Sequence, residues 1–172
     1  MLNSIINSGK IPVLLAPMAG ITDLPFRNAV NNFGVDMCFS EMVADRSLLC
    51  DGSKSRRISL GSNFLNTAVQ LAGCEPKVMS EAAKLASDLG AGAIDINMGC
   101  PAKKVVGGYS GSALMRDLKK AASIINSVVS AVDIPVSLKT RLGWDDSSKN
   151  AKELGLIAEK CGVQSFTIHG RT

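Results

Sequence analysis

Short apolar runs alternate with longer amphipathic segments along this chain, and that alternation constrains the fold more than any other feature. Residues 13–16, 37–43, 68–71, 93–96, 136–139 and 165–169 read as strands. The segments between them read as helices and loops. Asp23 caps a helix with Pro25 in its first turn, running to about Asn32 before Gly34. Residues 44–62 are a polar connection or short helix. Glu75-Pro76 opens a helix through Leu89, with Gly90 beyond its end. Residues 107–111 read as a flexible glycine loop. Residues 118–132 form an amphipathic helix stopped near Pro135, and residues 147–160 form another, ending before Gly162. Strands joined through helices imply a parallel sheet with right-handed crossovers. Both a doubly wound sheet and a (β/α)8 barrel fit that pattern. Polar residues at nearly every strand end (Met18, Glu41, Gln70, Asn97 with Cys100, Lys139 with Arg141, His169) lean towards the barrel, whose sites are built there.

With 172 residues, 46% hydrophobic and 20% charged, the chain suits one globular domain rather than disorder. A net charge of +4 is compatible with an RNA partner. Basic residues cluster at Lys54 to Arg57, Lys103-Lys104 and Lys119-Lys120; the last pair reads as a solvated face. Five cysteines make no Cys-x-x-Cys motif, and a single histidine gives little support for a zinc site, so no metal is expected. An odd cysteine count without a secretory signal fits a reducing cytoplasm. Residues 11–21 are apolar, but Pro12 and Pro17 interrupt them and they are too short to span a bilayer, so no membrane association is expected.

Chemistry concentrates at Ala-Ile-Asp-Ile-Asn-Met-Gly-Cys-Pro-Ala-Lys-Lys-Val, residues 93–105. Gly99 and Pro101 stop the strand and turn it. The turn carries Cys100, the amide of Asn97, and Lys103 and Lys104. Such a strand tip suits an anionic substrate; it also describes a small buried cysteine beside a solvated lysine pair.

This stretch resembles the signature loop of bacterial tRNA-dihydrouridine synthases, most closely the B subgroup (DusB). Four further stretches are similar to that family in the same order: Ala16-Pro17-Met18-Ala19-Gly20-Ile21-Thr22-Asp23, Ser40-Glu41-Met42-Val43, Ser137-Leu138-Lys139-Thr140-Arg141-Leu142-Gly143-Trp144, and Thr167-Ile168-His169-Gly170-Arg171-Thr172. The resemblance implies an α/β fold of the (β/α)8 TIM-barrel type. It implies FMN as cofactor, NADPH as electron donor and tRNA as partner. The reaction would reduce uridine to 5,6-dihydrouridine, with a hydride to carbon 6 and a proton to carbon 5.

On that resemblance, Cys100 is the catalytic proton donor. Ala16, Pro17, Met18, Gln70, Lys139 and His169 would meet the flavin. Asn97 would read the uracil edge with one donor and one acceptor. Lys103, Lys104 and Arg141 would meet RNA phosphate or the flipped nucleotide. Each has a plainer role: a proline turn for residues 16–18, turn chemistry for Asn97, a salt bridge at the barrel mouth for Lys139. Cys38, Cys50, Cys74 and Cys161 read as structural, and Trp144 as a cover over a barrel loop.

A closed barrel needs eight strands, and this reading finds six. The chain therefore reads as residues 1–172 of a flavin-binding barrel domain, truncated after about the sixth strand, without the family's phosphate-binding loops or its C-terminal helical tRNA-binding domain. A monomer is expected. Two alternatives stand beside this reading: an inactive fragment, and another FMN barrel acting on a free pyrimidine.

Overall fold

The computed structural model describes residues 9–51 and 66–172. The basic cluster at Lys54 to Arg57 lies outside the described residues. The strands are β1 (Leu14–Leu15), β2 (Met37–Phe39), β3 (Val43–Ala44), β4 (Thr67–Ala72), β5 (Ala93–Met98), β6 (Val136–Arg141) and β7 (Ser165–His169). The helices are α1 (Leu24–Asn31), α2 (Asp45–Asp51), α3 (Pro76–Asp88), α4 (Lys103–Val106), α5 (Leu118–Val129) and α6 (Ala151–Lys160), with a 3-10 helix at Gly111–Arg116.

Every strand pairing is parallel, in the order β1-β2-β4-β5-β6-β7, with β3 also on β4. A doubly wound sheet reverses its order at a switch point. This order runs one way only, which is the layout of a barrel. The fold is an incomplete (β/α)8 barrel, as the sequence predicts.

The strand patterns explain the two faces. On β4, β5 and β6 the residues Val69, Leu71, Ile94, Ile96, Met98, Val136 and Leu138 face one way and join a buried core with Met79 and Ala83 of α3, Ile124 and Val128 of α5, and Leu154 of α6. Each fully buried Ile or Leu here contributes about 1.5–3 kcal/mol. The alternate residues share the opposite face, because side chains on a strand alternate. The register sets them in rows. Gln70, Asp95, Ser137 and Ser165 lie side by side; so do Asn97, Lys139 and Thr167, and then Arg141 and His169.

Several boundaries differ from the sequence reading. The second strand is broken. Phe39 pairs Ala68 and Val43 pairs Leu71, so four steps on one strand face three on the other. That is a bulge. Ser40 holds it: its N–H donates to the Ala68 carbonyl at 2.9 Å, its hydroxyl donates to the Glu41 carbonyl at 2.8 Å, and it accepts the Gln70 N–H at 3.1 Å. Helix α6 starts at Ala151 rather than Ser147, because Asp145 Oδ1 accepts from the Ser147 N–H and from both Ser147 and Ser148 hydroxyls, closing a turn. Strand β6 continues to Arg141. Residues 107–111 are no open loop. They join α4 to the 3-10 helix, and Gly111 is buried against Cys100.

Candidate active site

The carboxyl ends of the strands surround a cavity of about 200 Å³. That is smaller than the roughly 300–1,000 Å³ of a complete ligand pocket, as one wall of a site would be. Pro17, Gln70, Asn97, Cys100, Lys139, Arg141 and His169 line it, joined by Ala19, Met42 and Gly99. Seven residues predicted from the sequence therefore meet. Ala16, Met18, Lys103 and Lys104 do not line this cavity. Ala16 is exposed on the chain after β1. The Met18 backbone is engaged in its own turn, its carbonyl accepting the Ile21 and Thr22 N–H groups at 3.1 and 3.0 Å. Lys103 is exposed on α4; Lys104, also exposed, lines a neighbouring cavity of about 370 Å³ that shares Met42.

Asn97, next to the last residue of β5, builds the turn that presents the thiol. Its Oδ1 accepts the N–H groups of Gly99 and Cys100 at 3.1 and 3.0 Å. Both lone pairs are engaged, so the acceptor expected of Asn97 towards a ligand is not free. Its Nδ2 donates to Gln70 Oε1 at 2.9 Å. The other side of the thiol residue is held by the Ser112 N–H, which donates to the Cys100 carbonyl at 3.0 Å.

Arg141 also serves the turn. Its Nε donates to the Gly99 carbonyl at 2.7 Å and an Nη donates to the Thr172 carbonyl at 2.8 Å. Lys139 follows three buried strand residues, and no carboxylate lies within ion-pair distance of it among the described residues. Its cation faces the cavity rather than a salt bridge. Desolvation, and then the cations of Arg141, Lys139 and Arg171, hold His169 below its ordinary range.

Two positioning residues carry more weight than the sequence alone suggested. Glu41, at the bulge, accepts the Gly20 N–H at 2.6 Å and so ties the loop after β1 to the strand beside it. Asp95 is fully buried and accepts from Ser137 Oγ and Gln70 Nε2, each at 2.6 Å. Burial pushes its carboxyl up to about 6, against the pull of those two hydrogen bonds and of Lys139. The signal for Asp95 was the inward series Ala93, Asp95, Asn97, alternating with Ile94, Ile96 and Met98.

The family model for dihydrouridine synthase (Dus) matches residues 14–172. The chain belongs to the dihydrouridine synthase family. It is 53% identical over 162 residues to a Rickettsia conorii protein named "Probable tRNA-dihydrouridine synthase", covering 93% of this chain and 49% of that one. It is 56% identical over 160 residues to the protein of that name from Rhizobium leguminosarum bv. phaseoli, covering 93% and 50%. With "tRNA-dihydrouridine synthase B" of Pasteurella multocida it shares 47% over 164 residues, covering 95% and 49%. The chain spans about half the length of these curated relatives.

Among the described residues no helix is long and apolar enough to cross a membrane, and no group of three or more His, Cys, Asp or Glu is placed to hold a metal ion.

Proposed function

We propose that this chain is the N-terminal portion of a flavin-binding barrel domain that reduces uridine to 5,6-dihydrouridine in tRNA, with FMN as cofactor and NADPH as electron donor. The enzyme would act as a monomer in the cytoplasm. One observation carries the reading: Cys100 opens onto the cavity that Gln70 and Lys139 also line. FMN suits these residues. A lysine that makes no ion pair among the described residues, an amide and a proline flank form one wall for a polar, electron-accepting ring. Lys139, Gln70, Pro17 and His169 would hold that ring. Bound and reduced, FMN supplies a hydride.

The chain supplies the rest. Asn97 and Ser112 clamp the backbone of Cys100 from both sides, which fixes the direction of its thiol. The thiol donates its proton to carbon 5 of the uracil. The Lys139 ammonium stabilises negative charge on a ring bound beside it. The target base must leave its stack to reach this depth. Exposed Lys103 and Lys104, three and four residues beyond the thiol, suit phosphates and favour a polynucleotide over a free pyrimidine.

The test uses a chimera joining residues 1–172 to the C-terminal half of the Rickettsia conorii relative. Cys100→Ala should leave flavin reduction by NADPH intact and stall dihydrouridine formation. Full dihydrouridine formation by this variant would remove Cys100 from the chemistry.

A further inference from the structure

The hydrogen bonds of the cavity wall all point one way, and Asp95 stands at their head. Two donors face it from the strands on either side, Gln70 of β4 and Ser137 of β6, and the Lys139 charge of β6 acts on it from beyond ion-pair distance. An ionised carboxylate accepts and never donates. Gln70 must therefore turn its nitrogen to Asp95, at 2.6 Å, and its carbonyl to Asn97. Asn97 in turn presents Nδ2 to Gln70 and its carbonyl to the N–H groups of Gly99 and Cys100. Reversing any member sets donor against donor. Both amides line the cavity, and Asn97 has only an N–H left to offer it. Gln70 has one N–H left and, beside the lone pair that accepts from Asn97, a single further acceptor position.

We propose that Asp95 is a positioning residue: through Gln70 and Asn97 it makes this wall a donor surface, matched to the carbonyl-bearing edge of a bound heterocycle, and it anchors the Cys100 turn. Lys139 and Arg141, on the neighbouring strand, extend the same donor surface. A ring edge carrying amino groups would find one acceptor position, on Gln70, among several donors, and a buried polar group left unpaired is strongly disfavoured. The ligand part of this inference rests on the reading of the cavity as a flavin site; the direction of the chain does not.

The chimera separates the two. Gln70→Glu sets a second carboxylate against Asp95, two acceptors with no proton between them. Its thermal midpoint should fall by about 10 °C at pH 7.5. Most of that loss should return on acidification towards pH 5, as the pair takes up a proton. Combining Asp95→Asn with Gln70→Glu puts a donor opposite an acceptor again, and Asn97 can still donate to position 70. The midpoint should recover to within a few degrees of the parent. The wall at position 70 then offers oxygens alone, so added FMN should bind at least about tenfold more weakly than to the parent. Three results would overturn the proposal: a Gln70→Glu variant as stable as the parent at pH 7.5, no rescue by the pair, or a pair that binds FMN as the parent does. A parent chimera that takes up no FMN would sink the flavin reading instead, while the midpoints still decide the role of Asp95.

Discussion

Gly111 lies directly behind Cys100: a Cβ at position 111 would stand 2.5 Å from the Cys100 carbonyl oxygen and 3.2 Å from its Cβ. Gly111 also has φ +62°, a conformation that side chains rarely adopt. The close contact is to backbone, which cannot swing aside. Gly111→Ala should therefore shift the Cys100 turn. Its expected signature is a loss of dihydrouridine formation of tenfold or more in the chimera, with the flavin spectrum unchanged, since Gly111 does not line the cavity. Unaltered turnover would mean that the turn tolerates displacement.

Asp95 gives a pH dependence whose sign follows from its raised carboxyl. Its value is 3.8 when unperturbed and about 6 in the fold. Between those values the folded chain holds a proton that the unfolded chain releases. Stability from this group is full below 3.8, falls as pH rises, and is gone above about 6. Asp95→Asn removes the titration, and its amide can still meet both Ser137 and Gln70. The stability of the variant relative to the parent chimera should therefore rise by about 2 kcal/mol from pH 4.5 to 7.5. Urea unfolding at the two pH values measures it; a constant difference would mean that Asp95 titrates normally.

Much of this site was legible because period-two alternation places residues without any knowledge of the turns between them. Gln70, Asn97, Lys139 and His169 fall on the inward face by counting from apolar neighbours. Asp95 belongs to the same series, yet one acid inside Ala93-Ile94-Asp95-Ile96 looks like an interruption of a buried strand rather than part of its polar face. The bulge at Ser40 was hidden for another reason. Residues 37–43 form an unbroken strand-like run, and only pairing with β4 shows the extra residue. The direction of the Asn97 amide was equally closed to sequence, because its partners are an amide on another strand and two backbone N–H groups.

Arg141 and the lysines of α4 should respond differently to salt. Lys103 and Lys104 are exposed and make no ion pair among the described residues. If they meet phosphates, Lys103→Ala and Lys104→Ala should each reduce the slope of log tRNA affinity against log salt by about one. Arg141 grips two backbone carbonyls, at Gly99 and Thr172. Lysine keeps the charge but not that two-point geometry. Arg141→Lys should leave the salt slope unchanged and lower the rate of uridine reduction. Arg141→Gln, which removes the charge, should likewise leave the slope unchanged; a slope reduced by about one with a normal rate would make Arg141 a phosphate contact rather than a brace for the turn.

The two margins of the sheet predict how residues 1–172 behave by themselves. β1 and β7 each have one neighbour among the described strands. Beside β7, an apolar groove of about 540 Å³ is lined by Leu142, Gly155, Leu156, Phe166 and Ile168, with Leu156 51% and Ile168 44% exposed. Before β1, Ile11 and Val13 are 92% and 59% exposed. Open strand edges flanked by apolar surface favour association between chains. Since β2 and β3 together occupy one barrel position, β7 is the sixth barrel strand. Barrel enzymes commonly hold phosphate on the loops after strands seven and eight, through charge-assisted bonds. Losing two or three such bonds, at roughly 1.5–3 kcal/mol each, weakens binding by several powers of ten. Expressed alone, residues 1–172 should be poorly soluble, retain little FMN and form no dihydrouridine. The chimera should be monodisperse, melt cooperatively and retain flavin. Size-exclusion chromatography with a visible spectrum compares the two directly. Stoichiometric FMN in a monodisperse preparation of residues 1–172 would show that the six-strand wall is sufficient for the whole cofactor.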